Sequence, residues 1–140
     1  MEIQHIHAPG APNPIAPFSH ATAWGDLLFI TGQMPIIAAT GEWVRGSFAA
    51  QTDAVMRNLE PVLQAAGSEW GHVLHARIYI TDFARYAEVN AAYAAWFEAG
   101  KFPARTCIGV TALAGGADVE IDLIAVKAPT QIEPTQGEAF

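Results

Sequence analysis

Pro103-Ala-Arg-Thr-Cys-Ile-Gly-Val110, a short connection, and then Ala117-Asp-Val-Glu-Ile-Asp-Leu-Ile-Ala-Val126 form the stretch that decides the fold. Both halves alternate. In the first, Ala104, Thr106, Ile108 and Val110 make one row, and Arg105, Cys107 and Gly109 the other. In the second, Val119, Ile121, Leu123 and Ala125 oppose Asp118, Glu120 and Asp122. A period of two, bounded by Pro103 and by Gly115-Gly116, predicts two half-buried strands. Paired as a hairpin with their apolar rows on one face, they place Arg105, Cys107 and Glu120 together on the other. One fixed cation, one thiol and several carboxylates make that face the place to look for chemistry.

Moving outward, residues 1–21 hold prolines at 9, 12, 14 and 17 and read as an extended arm, with a short strand at Ile3–His7. Ala21–Trp24, Gly25-Asp26 and Leu27–Thr31 read as strand, two-residue turn, strand. Ser47 is placed to cap a helix ending near Ala66, with Gly67 as its stop. Its apolar stripe is Val55, Met56, Leu59, Leu63 and Ala66, and Pro61 is expected to bend it. A strand at Val73–Thr81 follows, then a second helix over Phe83–Ala99 capped by Thr81 or Asp82, with Tyr86, Val89, Asn90, Tyr93 and Phe97 facing inward. The order predicts a two-layer α+β sandwich: one mixed sheet of about six strands with both helices on one face. A single domain is expected over residues 1–128, with a loose tail at 129–140.

The chain has 140 residues, 51% hydrophobic and only 15% charged, a rich apolar content for so small a protein. Some of that surface is expected to be covered by other subunits, with ligand sites in the clefts between them. Seven Lys and Arg against fourteen Asp and Glu give a net charge of −7, which opposes binding to nucleic-acid phosphates. No run of apolar residues is long enough to span a membrane, and the N-terminus lacks the pattern of a signal peptide. A single cysteine suits the cytoplasm, where thiols stay reduced. The five histidines show no ligand spacing beyond His5-x-His7, so no metal is expected.

Pro103–Val110 with Val119–Ala125 closely resembles the C-terminal signature of the RidA/YjgF family, also called endoribonuclease L-PSP-like proteins. The likeness extends to Pro14-Ile-Ala-Pro-Phe-Ser-His-Ala21, Phe29-Ile-Thr-Gly-Gln-Met-Pro35, Ala65-Ala-Gly-Ser68, Ile80-Thr-Asp82 and Val89-Asn-Ala-Ala-Tyr93, covering residues 12–127. The resemblance implies a chorismate-mutase-like fold, a homotrimer with sites at its interfaces, and no cofactor. It also implies hydrolysis of reactive enamines and imines, such as 2-aminoacrylate, to 2-oxo acids and ammonia. Arg105 then holds the substrate carboxylate and Glu120 positions or activates water. Cys107, Phe18, Thr31, Gly32, Thr106 and Asn90 line the substrate site. Phe18 stands where imine deaminases of the family usually carry Tyr, and Gly109 where many carry a larger residue. Both departures leave room for a pathway-specific relative acting on 3-aminoacrylate or an aminomuconate-like enamine. A non-catalytic chaperone or ligand-binding role is the alternative outside enzymology.

Each residue also has a plainer reading. Arg105 and Glu120 suit a structural ion pair, and arginine equally suits two-point recognition of a carboxylate. Cys107 among apolar neighbours reads as a pocket-lining thiol rather than a thiolate nucleophile. Asn90 reads as a satisfied core amide, and His20 has no assigned role.

Overall fold

The computed structural model describes residues 1–129; the tail expected at 129–140 lies, but for its first residue, outside them. Six strands make one mixed sheet: β1 (Gln4–Ile6), β2 (Ala21–Trp24), β3 (Leu27–Gln33), β4 (Val73–Ile80), β5 (Ala104–Gly109) and β6 (Val119–Val126). Their spatial order is β1-β2-β3-β6-β4-β5. Helices α1 (Phe48–Ala65) and α2 (Tyr86–Ala94) cover one face of the sheet. The expected sandwich is present, and the last strand in sequence fills its centre.

Local chemistry explains most boundaries. Gly25 sits at φ 60° between β2 and β3, the left-handed conformation that a tight antiparallel turn requires. The Ser47 hydroxyl accepts from the Ala50 N–H at 3.1 Å, satisfying one donor that the first turn of α1 leaves open. Gly67, at φ 80°, ends that helix. The helix continues through Pro61, forgoing only the hydrogen bond to the Arg57 carbonyl. Val55, Met56, Leu59, Val62 and Leu63 of α1 meet Leu28, Ile78, Ile121 and Leu123 of the sheet in one core. Asn58, buried within the same helix, donates to the carbonyls of Met34 at 3.0 Å and Ile36 at 2.6 Å. It thereby ties the chain leaving β3 to α1.

Three expectations need correction. First, Phe83–Ala99 is not one helix: a 3-10 turn at Phe83–Arg85 precedes α2, which stops at Ala94. Beyond it the Trp96 and Phe97 amides bond back to Tyr93 and Ala94, and both rings pack on Trp70 at 5.5 and 5.3 Å. The turn delivers those rings to the core, which a continuing helix would not.

Second, β5 and β6 are not a hairpin. β6 pairs antiparallel with β3 and β4, and β5 lies parallel to β4 at the edge. Alternation fixes which side chains share a side of one strand and says nothing about its neighbour.

Third, Arg105, Cys107 and Glu120 do not share a face. Register sets Arg105 beside Ala76 and Cys107 beside Ile78, both core residues, whereas Glu120 stands beside Tyr79 and Asp122 beside Arg77. Partners across a ladder point to the same side. Arg105 and Cys107 therefore lie on the helix side of the sheet, and Glu120 lies on the bare side. The row expected inside, Ala104, Thr106 and Ile108, is exposed. At this edge α2 offers polar partners to an arginine, which reverses the choice that hydrophobicity alone suggests.

Candidate active site

Arg105 leaves β5 toward α2. Both hydrogens of its Nη2 are engaged, one donated to the Tyr86 hydroxyl at 2.7 Å and one to Asn90 Oδ1 at 2.8 Å. The guanidinium also lies over the Tyr93 ring at 5.2 Å and the Tyr86 ring at 5.5 Å, so aromatic faces stabilise its charge. Residues 86, 90 and 93 recur at helical spacing, which is why one face of α2 delivers all three. An arginine has five N–H donors; with two engaged, three remain for a ligand. Arg105 borders a cavity of about 310 Å³ lined also by Asn90, Tyr93, Ala94, Phe102 and Pro103.

Burial pushes the Tyr93 hydroxyl up to about 12 despite the opposing charge of Arg105, so this phenol stays neutral. Burial also raises the Cys107 thiol, again against the pull of Arg105. A thiol held protonated is a poor nucleophile, which agrees with a wall-forming role. Asn90 is a buttress of Arg105 rather than an isolated core amide. Phe83 stacks on Tyr86 at 5.3 Å and fills the space beside Gly109, where an added Cβ would lie 3.1 Å from the Phe83 ring. The small residue at 109 therefore admits the Phe83 ring.

On the bare side of the sheet, Glu120 is half-buried and, among the described residues, has neither a salt-bridge partner nor a side-chain hydrogen bond. Burial first, and then the charge of Asp122, hold its carboxyl above the usual range. Asp122 itself is engaged, accepting from Arg77 Nε at 2.7 Å and from the Tyr79 hydroxyl at 3.0 Å. The Glu120 carboxylate lies directly against Gly32, where an added Cβ would overlap it. Gly32 and Thr31 occupy the irregularity between Ile30 and Gln33, where β3 steps out of register with β6. Both line a second cavity, of about 320 Å³, with Phe29, Arg77 and Asp122. The Thr31 hydroxyl donates to the Ser19 carbonyl at 2.6 Å.

The expected residues thus fall into two groups. Arg105, Cys107 and Asn90 gather on the helix side, while Glu120, Thr31, Gly32 and the exposed Thr106 gather on the other. Phe18, partly buried, lies on the arm just before β2. His20 is 3% exposed and bonded at both ring nitrogens, to the Ala8 amide and the Pro12 carbonyl; it pins that arm. Tyr86 and Tyr93, read from sequence only as packing residues, prove to be partners of Arg105. Among the described residues no group of three or more His, Cys, Asp or Glu side chains is arranged to hold a metal.

Comparison with known proteins gives this arrangement a context. Residues 8–127 match the family model described as Endoribonuclease L-PSP. The chain belongs to that family, the RidA/YjgF group. It is 43% identical over 129 residues to Protein DfrA of Myxococcus xanthus, covering 91% of this chain and 98% of that protein. It is 39% identical to RutC family protein PH0854 of Pyrococcus horikoshii, covering 87% and 96%. Among solved structures, the Rid-family protein YyfA of Yersinia pestis superposes with a TM-score of 0.86 at 36% identity, covering 89% of this chain and 99% of that one. Escherichia coli TdcF with bound serine gives 0.83 at 28%, again covering 89% and 99%. No helix among the described residues is long and apolar enough to cross a membrane.

Proposed function

We propose that this family member hydrolyses reactive enamines and imines of the 2-aminoacrylate/2-iminopropanoate type to 2-oxo acids and ammonia. The observation that carries the reading is the Arg105 guanidinium, fixed by Asn90, Tyr86 and Tyr93 at the wall of a cavity. A pre-oriented arginine with no carboxylate partner among the described residues is suited to receive one from a ligand. TdcF, a relative, was crystallised with serine, a small amino acid carrying such a group.

Arg105 and Glu120 lie on opposite sides of one sheet, so one small molecule meets both only between two copies of the chain. The site we propose therefore uses Arg105 of one copy and Glu120 of the next in a homotrimer. The bare sheet face, with Phe29 44% exposed, supplies surface for that packing. The steps follow from the groups. The enamine takes a proton from solvent on carbon and becomes the iminium, the protonated imine, while Arg105 holds the carboxylate. Glu120 accepts a proton from water as its oxygen bonds to the C=N carbon. Glu120 returns that proton to the nitrogen of the carbinolamine, the C–N bond breaks as ammonia leaves, and the hydroxyl releases its proton to solvent to give the 2-oxo acid. A carboxylate titrating above the ordinary range is closer to the operating pH and so better matched to this exchange. Positioning supplies much of the rate.

The family description names a ribonuclease, but a net charge of −7 opposes binding to a polyanion. The deciding experiment generates the imine in situ with an amino-acid oxidase and follows its decay with a trapping amine. Acceleration by the wild type and its loss in Arg105→Ala are expected; equal rates with and without protein would dismiss the proposal.

A further inference from the structure

Arginine grips a carboxylate with two parallel N–H groups, and the guanidinium offers two such pairs, Nη2 with Nη1 and Nη2 with Nε. Nη2 belongs to both. Here both of its hydrogens are already given, one to the Tyr86 hydroxyl at 2.7 Å and one to Asn90 Oδ1 at 2.8 Å. Neither pair is free while Arg105 stands as it does. A carboxylate arriving there gains one guanidinium bond, from Nη1 or Nε, and its second bond must come from a neighbour.

Tyr86 is placed to supply it. Its hydroxyl sits on Nη2 where a second carboxylate oxygen would otherwise lie. An oxygen held by the adjoining N–H of the same pair is beside it, within reach of an O–H. A hydroxyl accepts and donates at once. Tyr86 accepts from Arg105, and among the described residues its own hydrogen has no acceptor. Asn90 meets Nη2 with a carbonyl oxygen, which has no hydrogen to give. The phenol is also firmly seated. Its ring stacks on Phe83 at 5.3 Å, and Phe83 in turn rests over Gly109, where an added Cβ would come within 3.1 Å of that ring. The residue is only partly buried, which leaves it open to a ligand.

We propose that Tyr86 is a substrate-binding residue: its hydroxyl takes one hydrogen from Arg105 and gives its own to the substrate carboxylate, so that guanidinium and phenol hold the acid together. This rests on Arg105 as the carboxylate site of the proposed reaction and adds a second residue to that site. The arrangement keeps Arg105 fixed before and after the acid arrives, since no hydrogen bond of Nη2 has to break for a two-point grip to form.

The test uses the full-length protein labelled with NMR-active carbon at tyrosine Cζ and titrated with pyruvate, the stable acid product of 2-iminopropanoate. The chain has three tyrosines, so the signal missing from Tyr86→Phe is that of Tyr86. A phenol that donates to an anion moves its Cζ signal downfield, toward the phenolate, and that shift is expected to saturate as pyruvate binds. Calorimetry is expected to show pyruvate bound roughly tenfold more weakly by Tyr86→Phe, which keeps the ring and loses only the hydroxyl. KM for 2-iminopropanoate is expected to rise by a similar factor, because the carboxylate is not the reacting group. A Tyr86 signal that stays in place or moves upfield while pyruvate binds would reduce Tyr86 to a prop for Arg105 and overturn the inference. Unchanged affinity in Tyr86→Phe, or no pyruvate binding by the wild type, would overturn it as well. The shift without imine hydrolysis keeps this inference and removes the deaminase reading; imine hydrolysis without the shift does the reverse.

Discussion

The separation of Arg105 and Glu120 onto opposite sides of the sheet allows a test that does not depend on finding the natural substrate. Take two variants, Arg105→Ala and Glu120→Gln, each expected to be inactive alone. A charge-assisted hydrogen bond is worth about 1.5–3 kcal/mol. Each one lost from the guanidinium therefore lowers kcat/KM roughly ten- to a hundredfold. Now co-express the two chains with different tags and isolate assemblies carrying both. A site that takes its arginine from one chain and its carboxylate from the next has both groups intact at one of the three interfaces of any mixed cyclic trimer. A site built within one chain never does. Recovery of about a third of wild-type imine hydrolysis in the mixed assembly is expected, against background in either parent. Background activity in mixed assemblies of the wild-type size would refute the shared site. Full activity in either parent would refute the residue roles themselves.

Three further outcomes follow from single contacts. Gly32→Ala places a Cβ where the Glu120 carboxylate lies, so imine hydrolysis is expected to fall at least tenfold, with a stability loss of about 1–3 kcal/mol in urea unfolding. Asn58→Ala leaves two buried carbonyls, of Met34 and Ile36, without their donor, and should cost about 1–3 kcal/mol by the same assay. Glu120 has a folded carboxyl raised by burial and by Asp122, so between its unfolded value of about 4.3 and the raised one the folded state holds more protons. Stability there falls as pH rises. Glu120→Gln is accordingly expected to raise Tm at pH 7 and to match the wild type once pH drops below the unfolded value. Calorimetric scans at both pH values check this.

The sequence made the element types plain, because strand and helix periods are local. Ser47, Gly67 and the Gly25-Asp26 turn marked their boundaries by chemistry that acts within a few residues. The extent of α2 was not legible: Trp96 and Phe97 fit a helical stripe, and only their tertiary contact with Trp70 shows why the helix has already ended. Strand neighbours were equally hidden. Nothing in the alternation of residues 104–109 says that β4 lies between β5 and β6, and the error moved Arg105 to the wrong side. Yet the residues singled out around it were sound in kind. Tyr86, Asn90 and Tyr93 stood out as one helical face, and what that face held was decided by an edge strand arriving from ten residues further on.

The position of β6 also has a consequence for how the molecule is made. It pairs with both β3 and β4, which do not pair with each other. Until residue 126 is free of the ribosome, the earlier strands can form only two separate ladders, each with an open inner margin. The closing event joins segments nearly a hundred residues apart, a slow search of the kind that long-range β pairing imposes. Nascent chains halted before residue 119 should therefore be protease-sensitive and prone to stick to one another. The protein's vulnerable interval lasts until its sixth strand has emerged, when that single strand converts two halves into one sheet.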